Sequence, residues 1–122
     1  MLYAILAYHA EGAIADLTPD EDAALMTHLV MINERLESER KLGPAARLDF
    51  TRTARTLRGE ANAPIMDGPF AETKEQLLGL YMINCASMEE AEAIAREFKA
   101  INKTAVYEIR PVSYYSPGAP MD

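Results

Sequence analysis

At 122 residues the chain fits one domain and leaves no room for two independent cores. Its content of 49% apolar and 25% charged residues matches an ordinary globular protein and argues against general disorder or a membrane protein. The formal charge of −7 argues against nucleic acid and anionic membrane surfaces as partners, since both are held by positive potential. It leaves room for a small anionic ligand, whose immediate surroundings matter more than the total. Cys85 is the only cysteine, so an intramolecular disulfide is excluded and a reducing compartment is expected. Residues 2–8 are too short and lack the basic flank of a signal peptide, and no apolar run approaches the roughly 20 residues that span a bilayer. The expected location is the cytoplasm.

Residues 2–8 form a nearly continuous apolar run of strand formers and read as a central strand with at least one covered face. Residues 9–17 turn small, polar and Gly-containing, as in a loop. Thr18-Pro19-Asp20-Glu21 then marks a helix start. Thr18 can accept from an orphan backbone N–H, Pro19 suits the first helical position, and Glu21 can reach back to complete a capping box. Leu25, Leu29, Ile32 and Leu36 recur at spacings of four and three, giving one apolar stripe. Arg40 and Lys41 suit the far end, with Gly43-Pro44 as the expected stop.

From residue 47 to 58 the threonines Thr51, Thr53 and Thr56, with Phe50 and Leu57, favour extended chain. Residues 60–64 carry turn formers, and Asp67-Gly68-Pro69 is a second sharp break. Residues 79–85 read as a strand with Leu80, Met82 and Asn84 on one face and Tyr81, Ile83 and Cys85 on the other. Ser87-Met88-Glu89-Glu90 opens a second helix with an inward face of Ala91, Ile94, Ala95, Phe98 and Ile101, closed by Asn102. Alternation over residues 105–112 marks a last strand. The domain is thus placed at 1–112, with residues 113–122 as an appended C-terminal tail.

The order β-α-β-β-α-β indicates an α+β, ferredoxin-like sandwich with both helices on one face of an antiparallel sheet. The other sheet face carries apolar residues that need covering, so a homodimer is expected.

His9 and His28 are the two histidines and the only side chains that ordinarily titrate near neutrality. His28 falls on or beside the buried helix stripe, where it serves either as a hydrogen-bonded structural histidine or as a catalytic one. His9 lies at the end of the first strand, where it is either a solvated loop residue or part of a pocket opening at the sheet edge. Asp67 is the carboxylate expected to orient one of these imidazoles and raise its basicity. Its plainer role is to bond neighbouring backbone in a turn stiffened by Pro69.

The expected ligand-binding residues are Arg52, from the basic segment Arg47-Arg52-Arg55-Arg58, together with Phe70 and Lys74. An arginine there can hold a carboxylate or phosphate, although regular strand parity keeps all four from facing one pocket. A solvated or edge-protecting strand is the alternative. No metal site and no cofactor are expected: HxxxH, CxxC, GxGxxG, Walker and GxSxG patterns are all missing. Cys85 reads as a packed thiol, and the seven methionines as core or interface filler.

The run Asp67-Gly68-Pro69-Phe70-Ala71-Glu72-Thr73-Lys74-Glu75-Gln76-Leu77 resembles the signature of the DGPF branch of YCII-related proteins. The likeness extends to the opening strand ending in Tyr8-His9, the Pro19-initiated helix, Gly79-Leu80-Tyr81 and the closing Glu108-Ile109-Arg110-Pro111-Val112. It implies a dimeric α/β barrel to which each subunit brings a ferredoxin-like half, and a site built around a His–Asp pair. Association with an extracytoplasmic-function sigma factor is a further implication for some members. The leading expectation is therefore a small-molecule lyase or isomerase acting by His–Asp acid–base chemistry on an anionic or cyclic ligand. The competing one is a non-catalytic ligand sensor or regulatory partner.

Overall fold

The computed structural model describes residues 1–10 and 12–121; one residue of the expected 9–17 loop, Glu11, and one of the expected tail, Asp122, lie outside that set. Strand β1 (Leu2–Ala10) alternates strictly: Tyr3, Ile5, Ala7 and His9 are buried, while Leu2, Ala4, Leu6 and Tyr8 are half-buried on the opposite face. This two-residue period places the apolar run at the centre of a sheet covered on one side.

Helix α1 (Pro19–Ser38) begins as its sequence indicates. Thr18 Oγ1 accepts from the Glu21 N–H at 3.1 Å, and Glu21 Oε1 accepts from the Thr18 N–H at 2.9 Å, completing the capping box. Its end differs from the expectation. Arg40 adopts a left-handed φ of 60°, the Arg40 N–H donates to Glu37 O at 2.9 Å, and the Lys41 N–H donates to Leu36 O at 2.8 Å. This is a Schellman closure with arginine where glycine is usual, and it stops the helix before Gly43-Pro44 is reached. Those two residues lie inside β2 (Leu42–Arg47), an edge strand whose register shifts between Leu42 and Ala45. An edge position with a bulge is where a sheet tolerates a residue lacking an N–H.

The second strand of the main sheet is therefore 42–47 and not the Thr-rich stretch after it. That stretch forms a 3-10 turn at Thr51–Thr53 and a small hairpin, β3 (Arg55–Leu57) against β4 (Ile65–Asp67). β5 (Glu75–Asn84) follows, then α2 (Met88–Ile101) and β6 (Val106–Pro111). Ser87 caps α2 by accepting from the Glu90 N–H at 3.2 Å, whereas the Glu90 side chain accepts from Ala86 N–H and not from the cap residue itself. Ala91, Ile94, Ala95 and Phe98 are buried as expected; Ile101 is 37% exposed.

The main sheet has four strands in the order β2-β5-β1-β6, every neighbour antiparallel. Leu29, Leu36, Ala91, Ile94 and Phe98 from both helices pack on Tyr3, Ile5 and Ile83, so one face of the sheet carries both helices. This mixed α+β arrangement is compatible with a ferredoxin-like fold, with the β3–β4 hairpin added between its second and third strands. β2 and β6 are sheet edges, so no barrel closes within one chain. At the core, Tyr81 and Phe98 stack with ring centroids 4.2 Å apart, and Phe98, Ile5, Leu36 and Ile83 are fully buried. Among the described residues no helix is long and apolar enough to cross a membrane.

Candidate functional site

The helix-facing side of the sheet has a gap in its side chains. Pairing aligns Arg47, Gly79, Ala7 and Tyr107 in one row across β2, β5, β1 and β6. Ala7 and Gly79 contribute almost no bulk at the middle of that row. A Cβ on Gly79 would lie 3.2 Å from Ala46 O and 3.8 Å from Ala7 Cβ, so the glycine is also needed for close strand approach. Above the gap, α1 supplies Leu25, Met26 and Leu29, and the loop before it supplies Ile14 and Leu17. The cleft measures about 810 Å³, within the range of small-molecule sites, and its walls are mainly apolar with a few polar groups.

His9 lines this cleft from the end of β1 and is 4% exposed. Its Nε2 lies 3.3 Å from Asn102 Nδ2, and its Nδ1 lies 3.5 Å from Thr104 Oγ1. Asn102 Nδ2 also donates to the Tyr107 hydroxyl at 3.3 Å. With the amide nitrogen facing Nε2, that ring nitrogen is the acceptor and Nδ1 carries the proton toward Thr104. Burial first, and then the charges of Arg47 and Lys99, push the His9 pKa below its ordinary value of 6.5. The imidazole is therefore neutral at neutral pH.

Arg47 leaves the end of β2 and meets Asp22 on α1, Nη2 to Oδ1, at 2.9 Å. Both side chains are part-exposed, and both residues line the cleft. Tyr81, fixed by its stack on Phe98, lines the cleft too. No hydrogen bond to its hydroxyl is present among the described residues. Burial raises the Tyr81 pKa and nearby Arg47 lowers it. Asn33 on α1 completes the polar set, and its Oδ1 is buried without a partner among the described residues.

The structure separates the residues singled out from the sequence. His28 is on the exposed side of α1, its Nδ1 2.8 Å from Ala24 O. Asp67, at the end of β4, has a side chain 95% exposed and lies 3.8 Å from Arg55 Nε. Among the described residues no hydrogen bond or ion pair joins Asp67 to either histidine. Arg52 lies over the Phe50 ring, 4.8 Å from its centroid. Phe70 is 73% exposed and borders a smaller cleft of about 430 Å³ with Pro69 and Leu77. Lys74 is exposed and makes no ion pair within the described residues. The turn before Phe70 does use glycine's freedom, with Gly68 at φ 94°.

Asn102, Tyr81 and Asp22 were not singled out as site residues. Asn102 was legible as a helix end and Tyr81 as a strand residue sharing a face with Ile83 and Cys85; only the fold shows that they share a cavity with His9. Cys85 is buried, and burial pushes its thiol pKa up, the opposite of nucleophile activation. Among the described residues no group of three or more His, Cys, Asp or Glu side chains is placed to hold a metal ion.

A family model described as the YCII-related domain matches residues 1–116. An uncharacterised protein of Rhizobium meliloti (strain 1021) is 48% identical over 120 residues, covering 97% of each chain. With the model spanning nearly the whole length and the relative aligning end to end, the chain belongs to the YCII-related domain family.

Proposed function

We propose that the chain binds a small organic anion in the cleft beneath α1, and that His9 exchanges a proton with it in a lyase or isomerase step on an oxygenated or cyclic acid. The observation that carries this reading is the convergence of a buried, neutral imidazole and an arginine on one largely apolar cavity. A general base must be unprotonated where it works, and the lowered His9 pKa meets that need. Its accepting nitrogen, Nε2, is held by Asn102 Nδ2 at 3.3 Å, so the proton exchange requires the ligand to take the place of that long contact. Arg47 matches a carboxylate in shape and charge, and the apolar walls suit the ligand's carbon body. Proton abstraction and return at carbon need no cofactor. His28 and Asp67, expected as catalytic partners, would join this chemistry only if brought to the cleft by a second chain or another conformation.

The test is solvent exchange. The full-length protein in D2O is incubated with a panel of 2-oxo, 3-oxo and cyclic carboxylic acids, and deuterium incorporation is read by NMR. Incorporation by the wild type that falls at least about 100-fold in His9→Gln supports the proposal. Equal incorporation by both proteins, or none across the panel, counts against it.

A second reading, a ligand-responsive regulatory protein, is favoured by the β3–β4 hairpin. Leu57, Ile65, Met66 and Phe70 are 51–73% exposed there, and exposed apolar clusters mark interaction surfaces. The family resemblance makes a sigma factor one candidate partner, and the single cysteine, Cys85, suits the reducing cytoplasm as the setting. A homodimer suits either reading. Leu2, Leu6, Leu80 and Met82 sit on the helix-free sheet face, which a second copy would cover to complete the barrel.

A further inference from the structure

Two side chains of the cleft carry a polar group without a partner among the described residues, Asn33 through its Oδ1 and Tyr81 through its hydroxyl, and Tyr81 is the one on the strand paired with that of the arginine. The Tyr81 ring stacks on Phe98 and the residue lines the cleft, yet its hydroxyl has no partner among the described residues. Packing alone would be served as well by phenylalanine. Arg47 pairs with Gly79, two residues along β5 from Tyr81, so the two side chains leave the same face of the sheet as diagonal neighbours, and both line the cleft. Arg47 already holds one carboxylate, that of Asp22, at 2.9 Å.

We infer that Tyr81 and Arg47 together form a carboxylate seat, in which a ligand carboxylate exchanges with Asp22 for the guanidinium and accepts a hydrogen bond from the Tyr81 hydroxyl. This rests on the reading of the cleft as a ligand site and narrows its ligand to a monocarboxylate with an apolar body. The exchange replaces one planar anion by another of the same charge, so the guanidinium keeps its charge balance. A phosphate dianion would bring two negative charges beside the displaced Asp22 carboxylate, where a monocarboxylate brings one, in a chain of net charge −7. An uncharged ligand would leave the Arg47–Asp22 pair nothing to exchange for. The phenol is protonated at neutral pH, since burial is the larger influence on it, and so it acts as a donor. Leu25, Met26 and Leu29 receive the ligand's apolar body.

The experiment uses full-length protein with tyrosine rings and arginine side chains isotopically labelled, titrated with sodium benzoate, benzyl alcohol and inorganic phosphate. Benzoate is expected to move the Tyr81 ring and Arg47 Nε signals together, while benzyl alcohol and phosphate move neither. Tyr81→Phe keeps the stacked ring and is expected to bind benzoate about tenfold more weakly, the loss of a hydrogen bond to a charged group, with an unchanged melting temperature. Equal benzoate binding by Tyr81→Phe, or Arg47 signals that move while those of Tyr81 stay still, removes Tyr81 from the seat and leaves the cleft reading standing. Phosphate binding as strong as that of benzoate overturns the carboxylate selectivity. If none of the probes moves a cleft signal, the cleft reading itself fails and the seat falls with it.

Discussion

Asn102 Nδ2 lies 3.3 Å from His9 Nε2, joining the C-terminal cap of α2 to the end of β1 across 93 positions of sequence. The same amide nitrogen reaches the Tyr107 hydroxyl, whose pKa burial pushes up to about 12. A single side chain thus fixes the orientation of the imidazole and closes a helix.

Asn102→Ala removes the donor that favours the neutral form of His9 and admits water beside the ring. The His9 pKa is expected to rise toward its ordinary value, as read by NMR titration, and stability to fall by about 1–2 kcal/mol in chemical denaturation. A His9 titration identical to the wild type would show that the contact has no hold on the ring.

The lowered His9 pKa also gives stability a pH dependence. The unfolded histidine, with an ordinary value near 6.5, binds a proton more readily than the folded one, so unfolding takes up protons and stability rises with pH in that range. The contribution is complete above the unfolded value, declines as pH falls below it, and is fully lost once pH passes below the folded value. Denaturation curves between pH 5 and 8 should show this slope in the wild type and a shallower one in His9→Gln. Equal slopes would mean that His9 titrates alike in both states.

Gly79→Val tests the origin of the cleft. The added side chain meets Ala46 O at 3.2 Å from its Cβ and fills the space beside Ala7. Stability is expected to drop by about 1–3 kcal/mol, as for overpacking, and carboxylate binding to disappear from a chain still folded by circular dichroism. Retained binding would place the ligand elsewhere.

Arg47→Gln separates binding from stability. The Arg47 and Asp22 side chains are 40% and 37% exposed, so their pairing contributes no more than about 1 kcal/mol, and the melting temperature should change little. Loss of the positive charge should raise the His9 pKa and abolish binding of organic anions, measured by NMR titration and calorimetry. Undiminished binding would exclude Arg47 as the anchor.

Elements with strong local signals were legible in the sequence. The capping box of Thr18 and Glu21, the Ser87 cap and the inward stripe of α2 depend on neighbours a few residues away, and they stand where expected except for Ile101 at the end of the stripe. The end of α1 was misplaced because Arg40 takes a left-handed φ that sequence assigns to glycine, which leaves Gly43-Pro44 free to enter an edge strand. The Thr-rich segment formed a turn and a short hairpin because its extended preference was met locally by β3 and β4, outside the main sheet. Of the candidate site, His9 could be chosen by residue type and strand position. Its partners could not, since Asn102 and Tyr81 carry no local mark of function and share a cavity with it only through the fold. The signature run 67–77 was the most conspicuous motif, yet it begins as an exposed hairpin end and runs into β5, where Gln76 pairs with His9, without lining the larger cleft.

The most direct test of a neutral, ligand-facing His9 is an NMR titration of its two ring nitrogens, with and without a bound carboxylate. A His9 of this kind has an apparent pKa below 6.5 and the Nδ1–H tautomer at neutral pH, and both change when benzoate occupies the cleft. A pKa at or above the ordinary value, or ring signals indifferent to every carboxylate that binds, would contradict it.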